Sequence, residues 1–492
     1  MDRRSFLKSS LVAASALSAL PILSGCSTQK TGARALPVNA RVRGANEDIR
    51  IAIVGFNQRG QDHLAGFRNV KGVRIVALCD VDSDVLNKEV KKFKGKGQDV
   101  TGYTDIRKLL ENQDIDAVSI ATPNHWHSLA AIWAIQSGRD VYVEKPVSHN
   151  VWEGRQLVEA ARLHNRIVQT GTQCRSSSGL KEGIEWVRAG NLGKIKVARG
   201  LCYKRRPSIG KTTGPQPVPK SVDYNLWTGP AAMEPLRRAK LHYDWHWVWN
   251  TGNGDLGNQG IHQMDIARWA LGETALSPRI MTIGGRLSYE DDGQTPNTLI
   301  VCHDYPTAPL IFEVRGLPSK EGSNKMDEYL GSRVGVVIHC EFGYLTIPSY
   351  TKAVAYDLKG RELKTFEGEE SHYANFIKGV RSRKYSDLNA DILQGHLSSA
   401  LCHTGNISHR LGKKMQPGAI HEAIKDNKEM CETLARMEEH LKVNNVDLAK
   451  TPAALGAFLK MDGITERFTN NRQANHLLTR EYRKPFVVPK IA

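Results

Sequence analysis

At 492 residues the chain is long enough for two domains, because a single hydrophobic core seldom grows much beyond about 250 residues. Hydrophobic residues at 40% and charged residues at 24% exclude the disordered and membrane-embedded classes. The net charge of +17 includes a lysine cluster, Lys91, Lys92, Lys94 and Lys96, but no aromatic interleaving or helix-turn-helix pattern, so it reads as a solvated basic face with no nucleic-acid partner.

The opening MDRRSFLKSSLVAASALSALPILSGC joins the paired arginines Arg3 and Arg4 to an alanine-rich apolar stretch too short to span a bilayer comfortably. RRSFLK resembles a twin-arginine export signal, and Leu23-Ser24-Gly25-Cys26 resembles a lipobox in which Cys26 is lipidated. The export machinery is then a partner, the membrane is met only through the signal or the lipid, and the expected location is the cell envelope or periplasm. Residues 27 to 48 read as a flexible tether. Of eight cysteines, the seven after Cys26 show no CxxC pair, so neither a metal site nor a disulfide framework is indicated and buried free thiols are expected.

IRIAIVGFNQRGQDHLAGF predicts an apolar strand, a glycine turn and a helix; the next strand, VRIVALCD, ends at Asp80, twenty residues beyond Gly60. That order is the context of a dinucleotide fingerprint, with pyrophosphate at the helix N-terminus. Gly55 permits the tight turn and Gly60 permits close helix packing, while Phe56, Asn57, Gln58 and Arg59 complete the loop. Asn57 stands where the middle glycine is expected, which reshapes the pyrophosphate contact. Asp80 can accept from both ribose hydroxyls and repels a 2′-phosphate, favouring NAD over NADP. Further strands end at Pro123 and Pro146, so Thr122, Pro123, Asn124, His127, Glu144 and Lys145 are expected to line one crevice at the carboxyl ends of a parallel sheet.

Beyond TQCRS, where Gln173 and Arg175 are placed near a substrate, the pattern changes to alternating runs: KVARGLCYK, MTIGGRL, NTLIVCHDY, PLIFEVRG, RVGVVIHCEF, YLTIP and the hairpin KAVAYDLKGRELKTF. These predict a large, mostly antiparallel sheet. HYDWHWVWN reads as a strand whose Trp245, Trp247 and Trp249 share one side, either to pack a core or to face a sugar. In GNQGIHQMD, Gly260 offers a turn and helical spacing begins at Ile261, so His262 falls in a first turn with Asp265 on the same side. A helix N-terminus disfavours imidazolium and holds such a ring ready to accept a proton.

GFNQRG, ATPNHWH, EKP and GIHQMD, in this order, resemble the glucose–fructose oxidoreductase and inositol dehydrogenase family, Gfo/Idh/MocA, over residues 49 to 415. The resemblance implies an α/β Rossmann N-terminal domain (49–170) that binds NAD, and an α+β C-terminal domain (171–415) whose large, mostly antiparallel sheet carries substrate and often mediates homo-oligomerisation. Residues 416–492 form a C-terminal extension that caps the domain or contacts a neighbour. The resemblance makes Lys145 the group that binds the reacting hydroxyl and His262 its base. Asn258 replaces the aspartate of the family's D-x-G-x-H pattern; Asn258 and Asp265 are expected to bind substrate, and Asp255 or Asp265 to compensate for the lost charge. The implied activity is an NAD-dependent oxidoreductase acting on a sugar or polyol. Because an envelope supplies no NAD pool, the cofactor is expected to stay bound. A redox-neutral glycoside hydrolase or lyase, with Tyr243, His246 or His262 as an extra base, is the alternative; a non-catalytic sugar-binding lipoprotein is the third reading.

Overall fold

The computed structural model describes residues 47–491; the export and lipidation motifs, Cys26 included, lie outside the described residues. The N-terminal sheet is wholly parallel. Its elements run β1 (Ile49–Val54), α1 (Arg59–Arg68), β2 (Val73–Cys79), α2 (Ser83–Lys94), β3 (Thr101–Tyr103), α3 (Ile106–Leu109), β4 (Ala117–Ile120), α4 (Asn124–Gln136), β5 (Asp140–Val143), α5 (Val151–Leu163) and β6 (Val168–Thr170). Strand order is β3-β2-β1-β4-β5-β6, so the topological switch lies between β1 and β4. Every residue of β1, β4 and β5 is buried, as expected of a sheet covered on both faces, and the crevice above the switch is where such folds take ligands.

After α6 (Ser178–Arg188) the chain enters β7 (Ile195–Tyr203), crosses a long segment holding the short helices α7 (Tyr224–Thr228) and α8 (Leu241–Asp244), and reaches α9 (Ile261–Leu271). It then forms β8 (Arg279–Gly285), β9 (Thr298–Asp304), β10 (Pro309–Arg315), β11 (Val334–Cys340), β12 (Gly343–Ile347), β13 (Lys352–Asp357) and β14 (Glu362–Glu367). These strands order β14-β13-β12-β11-β7-β10-β9-β8, antiparallel except for β7 against β10. Period-two alternation sorts the two faces: Leu299 and Val301 join the core formed with α6 and α9, whereas Ile300 and Cys302 face the opposite side.

Helices α10 (His372–Ser382), α11 (Ile392–Arg410), α12 (Pro417–Ile424) and α13 (Lys428–Lys442) follow. The stripe Met430, Leu434, Met437 and Leu441 lays α13 over Val197, Ile283, Ile300 and Ile311, so part of the extension covers the outer face of the sheet. Chain order and packing diverge twice. Phe376, Ile377 and Val380 of α10 belong to the core around β1 and α1, although they fall between residues 171 and 415. At the end of the chain Phe486 and Val488 bury themselves against Trp126 and Leu129 on the opposite flank of the same sheet. Neither return is visible to a reading that follows the chain in one direction.

The structure corrects two local expectations. Residues 241–247 form α8 and a 3-10 turn rather than a strand, so Trp245, Trp247 and Trp249 do not share one strand face. Gly260 is helical, with φ −58°, and continues a wide π turn over Leu256–Gly260 into α9; His262 therefore sits inside a helix that already began at Gly254. Gly260 is needed because a Cβ there would lie 2.6 Å from the Phe312 ring.

Candidate active site

A cavity of about 330 Å³ opens above the switch point, lined by the β1–α1 loop, by the ends of β2, β4 and β5, and by residues of the 204–250 segment. Gly55 has φ +74°, and a Cβ there would stand 2.9 Å from the Thr122 amide nitrogen; one at Gly60 would stand 2.0 Å from the Gly55 carbonyl oxygen. Neither position admits a larger residue, and the tight turn and close helix packing they allow are those of a dinucleotide-binding loop. Phe56, Asn57, Gln58, Arg59, Thr122, Pro123 and Asn124 line the cavity. Asp80 accepts from the Phe56 amide at 3.1 Å and the Asp82 amide at 3.0 Å, and burial raises its carboxyl above the usual range. His127 lies against the carbonyl oxygens of Thr122 at 2.7 Å and Pro146 at 2.6 Å, which joins the ends of β4 and β5.

Behind the loop, Glu144 is a buried hub. Arg59 donates to it at 2.8 Å, His63 lies 3.1 Å away, and Gln173 Nε2 bridges it to the Tyr142 hydroxyl, both at 3.1 Å. Burial alone penalises the carboxylate, but Arg59, His63 and Lys145 outweigh it and hold Glu144 well below the usual range. Lys145 donates from Nζ to the Asn258 carbonyl oxygen at 2.7 Å; burial, aided by Arg59 and Arg206 against the pull of Glu144, lowers its ammonium. The sequence therefore brings Lys145 and Asn258 together in the cavity wall, through the backbone of Asn258.

His262 is 5% exposed and stands behind that wall rather than in it: its Nδ1 is 3.9 Å from Cys174 Sγ and its ring centroid 5.0 Å from that of Tyr350. Burial first, then the charge of Lys145, push it down to about 3, so the ring is neutral at physiological pH for reasons other than a helix N-terminus. Arg175 and Asp265, both placed near substrate by sequence, instead grip one another through three hydrogen bonds of 2.8–3.1 Å, with Ser398 also donating to Asp265. Neither lines the cavity; Arg175 also lies over the Trp269 ring, and the pair anchors α9. Asp255 takes a fork of bonds from Arg206 at 2.6–3.0 Å, so it too is committed to a partner. No charged group replaces the missing aspartate at Asn258 by way of these two carboxylates.

The sequence did not flag how the 204–250 segment closes the cavity. Backbone bonds tie it to the N-terminal domain: the Ser83 amide donates to the Ser221 carbonyl at 2.8 Å and the Asp223 amide to that of Val81 at 3.2 Å. Trp126 Nε1 donates to the Leu226 and Trp227 carbonyls at 2.9 and 3.0 Å, and His242 Nε2 meets Asp82 at 2.8 Å. From this segment Leu226, Trp227, His242, Tyr243, Trp245 and His246 form the wall facing the glycine loop. His246 stacks on Trp245 with centroids 3.6 Å apart, and its Nδ1 lies 2.6 Å from the Tyr243 carbonyl. A carbonyl can only accept, so the proton of the neutral ring is on Nδ1 and Nε2 is basic; burial pushes this ring down to about 3. The Tyr243 hydroxyl accepts from Arg206 at 3.2 Å.

Comparison with known proteins agrees with this architecture. An oxidoreductase-family model, NAD-binding Rossmann fold, matches residues 49–172, and a second, oxidoreductase family C-terminal alpha/beta domain, matches residues 187–435. Glycosyl hydrolase family 109 protein 2 of Shewanella sp. (strain ANA-3) is 34% identical over 176 residues, 34% of this chain and 38% of that protein. Inositol 2-dehydrogenase 3 of Saccharopolyspora erythraea is 31% identical over 170 residues, 33% of this chain and 47% of the other. The chain thus spans less than half the length of these curated relatives. Among solved structures, the WlbA dehydrogenase from Bordetella pertussis, in complex with NADH and UDP-GlcNAcA, superposes with a TM-score of 0.52 at 18% identity, covering 72% of this chain and 94% of that one. An oxidoreductase domain protein from Kribbella flavida gives 0.54 at 17%, covering 73% and 96%. At these identities the superpositions establish the fold.

Proposed function

Because the chain belongs to the Gfo/Idh/MocA oxidoreductase family, we propose that it is an NAD-dependent oxidoreductase that acts on a carbohydrate hydroxyl and keeps its cofactor between turnovers. One observation carries this reading: a single cavity holds the glycine loop, Asp80 and Lys145, and the 204–250 segment is bonded down over it. Bound NAD supplies the hydride acceptor; the chain supplies everything else. Asp80 favours a free ribose diol and disfavours a 2′-phosphate. Lys145 fixes the reacting oxygen in place of the Asn258 carbonyl, and a neutral histidine takes the hydroxyl proton. His262, behind the wall, is that base in the family pattern; His246, a neutral imidazole that lines the cavity itself, is the alternative.

To test the reading, protein purified without added nucleotide is denatured and its NAD quantified, and the native protein is then screened with paired sugars. About one equivalent of NAD together with sugar-dependent redox cycling supports it. A folded sample that holds no NAD and gains none from solution overturns it.

The presence of two neutral histidines, together with the family 109 relatives, favours a second reading: oxidation, elimination of a glycosidic substituent and re-reduction on one sugar. That route needs a base for a carbon-bound proton in addition to one for the hydroxyl. Glycoside cleavage that incorporates solvent deuterium at a sugar carbon distinguishes it from simple oxidation. We also propose that the chain is exported and tethered through Cys26; Arg3→Lys with Arg4→Lys should trap it in the cytoplasm, and Cys26→Ala should release it from the membrane. No helix among the described residues is long and apolar enough to cross a membrane.

A further inference from the structure

We infer that the C-terminal tail fastens the cofactor cavity from outside, with Arg483 and Phe486 as positioning residues that set how fast the dinucleotide leaves. The inference rests on the cavity being a dinucleotide site. Three elements supply the wall at its α3 and α4 end, through Ile106, Trp126 and Leu226, and the tail touches all three from the far side. Arg483 donates from Nη1 to Asn225 Oδ1 at 2.6 Å and from Nη2 to the Asn225 carbonyl at 2.8 Å, gripping α7 by side chain and backbone together. Phe486, 1% exposed, lies 5.5 Å from Trp126 and 6.3 Å from Trp133 by ring centroids, under the guanidinium of Arg107 at 5.1 Å and that of Arg483 at 4.8 Å.

Trp126 joins the two contacts. Its indole packs against Phe486 with 77° between the ring planes, and its Nε1 holds the Leu226 and Trp227 carbonyls, so a shift of Phe486 is felt by the bonds that hold α7 down. Gly229 shows how little slack exists: a Cβ there would fall 2.3 Å from the Trp126 ring. The tail is itself held upstream, where the Leu478 carbonyl accepts from the Trp152 amide at 3.0 Å and the Tyr482 hydroxyl donates to Glu153 at 3.0 Å. Tail, α4 and α7 therefore form a closed mechanical loop beside the cavity. Opening the cavity at α7 requires breaking the Arg483 fork as well as the Trp126 bonds.

The test measures dissociation of NAD by displacement with a fluorescent etheno analogue, from full-length protein loaded with NAD, so it needs no turnover. Arg483→Ala should speed release roughly tenfold, the value of a charge-assisted fork at a half-exposed site, with melting temperature little changed. Asn225→Ala, which removes the Oδ1 half of the fork and keeps the backbone carbonyl, should speed release less, and the double variant should match Arg483→Ala, because the arginine carries both halves. Phe486→Leu, which keeps the buried volume, should accelerate release less. Unchanged release in Arg483→Ala and Phe486→Leu overturns the inference, as does additivity of Arg483→Ala and Asn225→Ala. A wild type that binds no NAD at all would instead sink the cofactor reading, which the loading step reports first.

Discussion

Two regions face each other across the same cavity and are built on opposite principles. The β1–α1 loop recognises through backbone: six consecutive residues, Gly55 to Gly60, fix its shape through one positive φ and two close approaches. The 204–250 segment encloses through long-range bonds, in which Trp126 and Leu226 are 100 residues apart and His242 and Asp82 are 160 apart. The first can be read locally because its constraints fall on neighbouring residues. The second contains no motif, because carbonyl oxygens do its work and every residue type carries one.

The comparison breaks most severely at the reacting centre, where the enclosing segment offers His246 as a base and α9 offers His262. His262→Ala should lower turnover about 10²–10⁴-fold while bound NAD is retained. His246→Ala should have the smaller effect on oxidation and the larger one on glycoside cleavage. If turnover survives His262→Ala and is lost in His246→Ala, the enclosing segment supplies the base and the family's catalytic histidine does not hold that role in this chain.

On the recognition side, Gly55→Ala places a Cβ in a left-handed conformation costing about 1–2 kcal/mol and adds an overlap with Thr122. NAD affinity should fall at least roughly tenfold with the fold intact, measured by equilibrium titration against circular dichroism.

Acid sharpens the contrast between holding and reacting groups. His262 has a folded pKa of about 3, far below its unfolded value, so the unfolded state binds more protons as pH falls. Its contribution to stability is complete above pH 6.5 and is lost as pH drops from there towards 3, at about 1.4 kcal/mol per pH unit. His262→Gln should flatten the slope of unfolding free energy against pH by up to that amount between pH 6 and 4. An unchanged slope would mean that the ring is solvated and not buried.

The same distinction explains how much the sequence disclosed. The parallel sheet, the glycine loop and the Lys145 crevice were legible because buried strands and tight turns restrict residue type locally. The strands of the second sheet were legible by period-two alternation, as in Leu299 to Cys302. What escaped depended on partners. Arg175 and Asp265 looked like substrate groups until their fork tied them to each other, and HYDWHWVWN looked like a strand until His246 Nδ1 found the Tyr243 carbonyl three residues back. Charge and aromaticity mark that a residue matters without saying to whom.

The smallest effect should come from the most exposed bond of the enclosure. The His242–Asp82 pair is 2.8 Å long, with the imidazole 34% and the carboxylate 8% exposed. Partly exposed pairs of this kind contribute about 0.2–1 kcal/mol, so His242→Ala should speed NAD release by at most about fivefold. Salt provides the control. In buffer that protonates the imidazole the solvent-reached pair is an ion pair, screened within about 10 Å at 0.1 M salt, whereas the buried Trp126 bonds to Leu226 and Trp227 are not. Raising salt should therefore accelerate release from the wild type towards the His242→Ala rate and leave the variant nearly unchanged. Equal salt sensitivity in both proteins would place the screened interaction elsewhere, and the enclosure would then be held by its backbone bonds alone.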